Sequence, residues 1–201
     1  DDKLTGINKV GLISLIDDKI SYNYVGFTAF NNKDTLYPFS GLNIDDYIHK
    51  NLSSALRRAN PRVEVIPLNA NFDKYKAAYR LQESISSFDL NSFANLALEQ
   101  TSGLGLKYVI VASRDSIQFD EIPVGVNGFG LRKRVGQEKI GSFVLIKFQL
   151  IDIATRQELA KARVFERDSE SNFEWLEPID KNKDSEKTAL KKYVYESIDT
   201  W

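Results

Sequence analysis

Apolar and polar residues alternate most regularly over residues 143–166, FVLIKFQLIDIATRQELAKARVFE, and the pattern predicts two antiparallel strands about a short polar turn. In the first arm Ile146, Phe148 and Leu150 share one face, while Leu145, Lys147, Gln149 and Ile151 share the other. That strand is expected to be well buried on one side and partly on the other. In the second arm Ala160, Ala162 and Val164 alternate with Lys161, Arg163 and Phe165, as in a strand with one covered face. Two strands are marginal in water alone, so the remaining chain must supply further strands and a helical layer.

Upstream, residues 9–16, a turn at Asp17-Asp18-Lys19 and residues 20–30 predict a first hairpin. Its aromatic stripe Tyr22, Tyr24, Phe27 and Phe30 is expected to pack beneath a helix. Residues 31–41 predict a loop. Asn43 is a candidate cap for a helix to about Ala59, with Ile44, Ile48, Leu52, Ala55 and Leu56 as its buried stripe. Its acids Asp45 and Asp46 and its bases Arg57 and Arg58 suit the helix dipole, and Asn60-Pro61 ends it. A short strand at 63–68, helices at 73–84 and 91–101 and an apolar strand at 107–113 predict a right-handed crossover with parallel strands. Residues 114–141, with five glycines and the cluster Arg132-Lys133-Arg134, predict a long loop of the kind that carries function. Residues 167–184 are expected to be mostly irregular. Asp184 or Ser185 starts a last helix with Leu190, Val194 and Ile198 on one side.

These elements predict an α+β fold: an α/β sandwich with a single mixed sheet, containing two hairpins and one parallel crossover, against three to four helices. Residues 1–201 are expected to form a single domain.

Composition narrows the function classes. The chain has 201 residues and a formal charge of −1, so no overall charge draws it to nucleic acid or anionic lipid. No apolar run approaches the ~20 residues that cross a bilayer. Cys is absent, which excludes disulfides, thiolate metal sites and Cys nucleophiles. The chain begins Asp1-Asp2-Lys3 without Met, as expected if a signal peptide or lipid-bearing segment precedes it.

The element order resembles bacterial envelope proteins with the fold of the curli-secretion lipoprotein, the penicillin-binding-protein activator lipoproteins and the TolB N-terminal domain. Residues 106–113, LKYVIVAS, are similar to that family's strand entry, and residues 150–160, LIDIATRQELA, to its second hairpin. Residues 10–40 with 128–134 look more closely like an uncharacterised group of exported proteobacterial proteins. The chain departs from the family at Arg156, where Gly is frequent, and at Ala160, where Trp is common. The first departure bears on the turn, because Gly takes positive φ without strain and Arg does not. The resemblance implies an exported periplasmic or outer-membrane-associated domain that binds a protein partner or its own copies, with a lipid anchor upstream. It carries no catalytic residue.

Candidate chemistry is sparse. His49 is the one histidine and shares a helical face with Asp45 and Asp46, but a solvated boundary position accounts for it. No G-x-S-x-G motif accompanies it, and Ser113 and Ser116 are on no nucleophile elbow. Neighbouring carboxylates at Asp17-Asp18, Asp45-Asp46 and Asp120-Glu121 are in no metal-ligand spacing, so no metal or cofactor is expected. The most site-like segment is Gly125, Gly128, Phe129 and Gly130 with Arg132, Lys133 and Arg134. Gly-rich backbone can aim N–H groups at an anion, and the basic residues can add charge-assisted bonds. Neither the Walker pattern nor the dinucleotide pattern is complete. The sequence therefore points to a non-enzymatic envelope domain that binds a protein through a sheet edge or this segment. The alternative is a small-anion or nucleotide-binding domain using residues 125–134.

Overall fold

The structure, a computed structural model, describes residues 6–39, 41–68, 79–82, 85–88, 99, 101, 103–119, 124–136, 140–171 and 184–199. The fold is α+β as expected, but a single sheet against three to four helices is not what forms: among the described residues there are a mixed eight-stranded sheet, two separate two-stranded pairs and two α-helices. The strands are β1 (Lys9–Ser14), β2 (Lys19–Val25), β3 (Lys33–Pro38), β4 (Glu64–Pro67), β5 (Tyr79–Gln82) and β6 (Ile85–Phe88). They continue as β7 (Tyr108–Arg114), β8 (Ser116–Phe119), β9 (Val124–Asn127), β10 (Phe129–Arg134), β11 (Ile140–Asp152) and β12 (Gln157–Ser171). The helices are α1 (Ile44–Ala59) and α2 (Asp184–Asp199). The chain divides into two compact units, with β11 and β12 contributing to both.

In the first unit (Asp1–Ile16, Asp45–Ser113, Lys147–Ala162), β1 lies between two parallel neighbours, β4 and β7. The expected hairpin of 9–16 with 20–30 does not form. The burial pattern explains why: five of the six residues of β1 are buried, as in a strand with neighbours on both edges and layers on both faces. Ile13, Leu15, Val109, Val111, Ile151 and Ile153 pack together on one side. Ser14 points the other way and donates to Asp45 Oδ1 in the first turn of α1, which puts α1 on that opposite face. Of the expected stripe, Ile44, Ile48 and Leu52 are buried, whereas Ala55 and Leu56 are only partly so.

β4 and β7 are both parallel to β1 and hold its two edges, so the expected direct pair is replaced by a three-strand parallel set. The expected helix at 73–84 is contradicted where it is described, since Tyr79–Gln82 pairs antiparallel with Ile85–Phe88. Residues 91–101 lie outside the described residues apart from Glu99 and Thr101, which are helical.

β12 pairs with β11 through the turn at 153–156, as expected for the second hairpin. Asp152 Oδ1 accepts from the backbone N–H of Ala154 and Thr155, each at 3.0 Å, and Arg156 takes the positive φ of 59° that the family's Gly would take freely. β11 is more buried than its alternation implied, with Lys147 and Gln149 only 7% and 5% exposed. Gln149 Nε2 satisfies its burial by donating to Glu158 on β12.

In the second unit (Asp17–Ile44, Arg114–Ile146, Arg163–Trp201), the ladder runs β3-β2-β10-β11. β2 is antiparallel to β3 and parallel to β10, and β10 is antiparallel to β11. With three parallel pairings among the described residues, the expectation of one parallel crossover is too simple. The expected loop at 114–141 is likewise mostly strand: β8 and β9 form an antiparallel pair, and β10 joins the ladder. Residues 167–171 also continue β12 rather than running irregularly.

α2 buries Leu190, Val194 and Ile198, a stripe at helical spacing, each contributing roughly 1.5–3 kcal/mol by leaving water. Tyr195 donates to the Leu42 carbonyl and Tyr193 to the Ser142 carbonyl, from the two flanks of that stripe. Asn43 is not the cap of α1. It sits at φ 51°, and its N–H and that of Ile44 both donate to the Asp18 carboxylate at 3.0 Å. A helix start needs an acceptor for its free N–H groups, and one from 26 residues upstream serves as well as a local one.

Candidate functional site

The segment singled out for its glycines and bases is built into strands. Gly125 belongs to β9, and Phe129, Gly130, Arg132, Lys133 and Arg134 to β10, with Gly128 between them at φ 71°. Each glycine that the geometry explains faces protein. A Cβ on Gly128 would come 2.3 Å from Arg114 Nη1, and one on Gly130 would come 1.9 Å from the Ser21 carbonyl oxygen across the β2–β10 ladder. Phe129 is fully buried.

Arg114, 5% exposed, is the hub beside this segment. Its Nε and Nη2 approach Asp17 Oδ1 at 3.0 and 2.9 Å, and Nη2 also donates to the carbonyls of Asp17 and Lys19. Its guanidinium lies 4.5 Å from the Phe129 ring centroid, a cation–π distance. Burial pushes the Asp17 carboxyl up, and the charges and hydrogen bonds of Arg114 and Lys19 outweigh that, leaving it below its ordinary value of 3.8. Asp17-Asp18 is therefore a structural pair: one carboxylate compensates Arg114 and the other caps α1. Next to Arg114 in the chain, Asp115 is held by Arg163 Nε at 2.7 Å.

His49 is half-buried on α1, and burial lowers its pKa against the opposing charge of Asp46. Among the described residues no three His, Cys, Asp or Glu side chains converge as a metal-holding group.

The surface that stands out is the β2–β3 hairpin. β3 ends the ladder of its unit, so among the described residues its outer edge pairs with no strand. It presents Leu36, 47% exposed. The aromatic stripe divides here: Tyr22 is fully buried and meets Tyr37 edge-to-face at 5.3 Å, whereas Phe27 and Phe30 are 86% and 100% exposed. The expectation that all four aromatics pack beneath a helix is contradicted for Phe27 and Phe30. Alternation identifies a strand's faces but does not reveal where the strand ends, and Phe27 and Phe30 lie beyond the last residue of β2.

The tip that carries them is braced. A 3-10 turn forms at Ala29–Asn31, Thr28 Oγ1 donates to Asn31 Oδ1 at 2.6 Å, and Asn31 N donates to the Thr28 carbonyl at 3.0 Å. Gly26 N donates to Asn32 Oδ1 at 3.0 Å, and a Cβ at Gly26 would come 2.4 Å from Asn31 Cβ. The two exposed rings are therefore held outward on a hydrogen-bonded frame. Single exposed apolar residues are ordinary, but two large rings beside an open edge are not.

No family model matches the chain, and no curated protein matches it in sequence. Among solved structures it is similar to the lipoprotein GNA1162 from Neisseria meningitidis, with 10% identity, a TM-score of 0.36 and coverage of 96% of this chain and 99% of that one. It is similar to the LpoB C-terminal domain from Salmonella enterica, with 12% identity, a TM-score of 0.30 and coverage of 79% and 81%. It is also similar to the PelC dodecamer from Paraburkholderia phytofirmans, with 13% identity, a TM-score of 0.37 and coverage of 96% and 88%. All three likenesses are loose.

Proposed function

We propose that this chain is a non-enzymatic bacterial envelope domain that binds a protein partner along the outer edge of β3. The observation that carries the reading is the open end of the β3-β2-β10-β11 ladder with Leu36 on it. An unpaired edge offers a row of backbone donors and acceptors to an incoming strand, and exposed side chains beside it supply specificity. Lys33 and Pro38 bracket the edge, a placement that discourages indiscriminate pairing while leaving the middle of the strand open. The envelope setting rests on the resemblance of residues 106–113 and 150–160 to exported proteins. Among the described residues no helix is long and apolar enough to cross a membrane.

Because the chain contains no Cys, Leu36→Cys creates a unique thiol for a photo-crosslinker. In the native cell, a discrete protein adduct formed from position 36 and absent from a probe at Lys192, on the exposed side of α2, supports the proposal. Equal, diffuse labelling from both positions overturns it. Recovery of the chain from the cytoplasmic rather than the envelope fraction would refute the location.

A further inference from the structure

The tip of the β2–β3 hairpin and the end of β10 form a second surface, which meets the β3 edge at Lys33. In the ladder Lys33 and Lys133 both pair with Tyr24, one from each side, and Arg134 pairs with Val25, the last residue of β2. The Val135 N–H donates to the Val25 carbonyl at 2.8 Å, which fixes the end of β10 beside the start of the tip. Three cationic side chains therefore stand at the same end of the ladder as Phe27 and Phe30. Lys33 and Arg134 are exposed and Lys133 is half-buried, and none of the three has an ion-pair partner among the described residues. The carboxylate on the neighbouring row, Asp34, accepts a hydrogen bond from Ser21 Oγ.

We infer that this end of the molecule seats on an anionic lipid surface, with Phe27 and Phe30 entering the interface and Lys33, Lys133 and Arg134 meeting the headgroups. The chain's near-zero net charge gives no general attraction to such a surface, so the attraction must be local, and here Lys33, Lys133 and Arg134 outnumber the one neighbouring carboxylate, Asp34. The tip is braced, with both rings exposed. A bilayer interface accepts such rings without a matching cavity, and aromatic rings favour that depth. Basic residues beside an inserted apolar group add a second, salt-sensitive contribution.

The test is co-sedimentation of the full chain with vesicles of phosphatidylcholine containing phosphatidylglycerol, against pure phosphatidylcholine, at low and at physiological salt. Binding is expected to the anionic vesicles and to weaken with salt. Phe27→Ala/Phe30→Ala is expected to reduce it by at least about tenfold, the scale of removing large buried apolar groups. Lys133→Gln/Arg134→Gln is expected to weaken it about fivefold per charge removed at low salt. Both pairs sit at the surface, and unchanged thermal unfolding confirms that each variant is folded. Equal binding to neutral vesicles, no binding by the parent chain, or anionic binding indifferent to the phenylalanine pair overturns the inference. So does a concentration-dependent dimer in lipid-free buffer that disappears in the same pair, which would make the tip a contact between copies. Loss at Phe27 and Phe30 leaves the Leu36 crosslink intact, so the two readings fail separately.

Discussion

The Arg114 guanidinium lies 2.9 Å from the Asp17 carboxylate, and this pair ties the end of β7 to the turn that precedes β2. Arg114 is buried whereas Asp17 is partly open, so Asp17 is what makes the burial of a cation tolerable. Asp17→Asn is expected to cost about 1–2 kcal/mol at neutral pH, less than for a wholly buried pair because water screens the exposed side. Asp17 titrates below its ordinary value of 3.8 in the fold, so its contribution is complete above that value and is lost as pH falls through the lowered one. Denaturant titrations from pH 6 to pH 3 should show the parent losing stability faster than Asp17→Asn. Parallel losses would contradict this.

Asp34 should behave with the opposite sign. Burial raises its carboxyl pKa above 3.8 despite the Ser21 hydrogen bond and the Arg114 charge. A raised carboxyl stabilises the fold below its ordinary value, and that contribution is lost as pH rises through the folded value. Asp34→Asn keeps an acceptor for Ser21 Oγ and removes the charge. Its Tm at pH 7 is expected to exceed that of the parent, with the gap closing at pH 3.

Asp18→Ala removes the acceptor for the Asn43 and Ile44 N–H groups. The loss expected is about 1–2 kcal/mol, the scale of a lost helix cap. Asn43→Ala also costs stability, but through positive φ rather than capping, so Asn43→Gly should recover it whereas Asp18→Gly should not fully do so. Chemical denaturation of the four variants separates the two mechanisms.

Gly128→Ala and Gly130→Ala should both be severe, for different reasons. The first places a side chain at φ 71° against Arg114, and the second drives a methyl into the Ser21 backbone. Each is expected to cost at least about 2–3 kcal/mol or to prevent folding. Gly136→Ala is the control: φ is positive there, but a Cβ would meet no neighbour within 4 Å, so the loss should stay near 1 kcal/mol.

Periodicity carried the sequence reading where one element's face decides its fate. The helical stripes of α1 and α2, the apolar run of β7 and the polar turn between β11 and β12 were all readable from local pattern. Relations between distant residues were not. Whether β1 turns back onto β2 or is flanked by β4 and β7 depends on long-range pairing, and Asp17-Asp18-Lys19 resembles a hairpin turn in either case. The glycines of residues 125–130 look like a loop because turns use glycine, yet Gly130 exists to let β10 approach Ser21. Nor could Phe27 and Phe30 be told from Tyr22, since hydrophobicity predicts a preference for burial and the tip withholds it from those two. The candidate segment 125–134 therefore contributes Lys133 and Arg134 to a surface whose aromatic half was read as core.

The most direct test of the account is the accessibility of Leu36→Cys to a membrane-impermeant maleimide, in the purified chain and in the native envelope, with Lys192→Cys as reference. Exposed edge geometry predicts rapid labelling at both positions in the purified chain and selective protection of position 36 in the envelope. Equal labelling of both positions in the envelope would contradict a partner seated on β3.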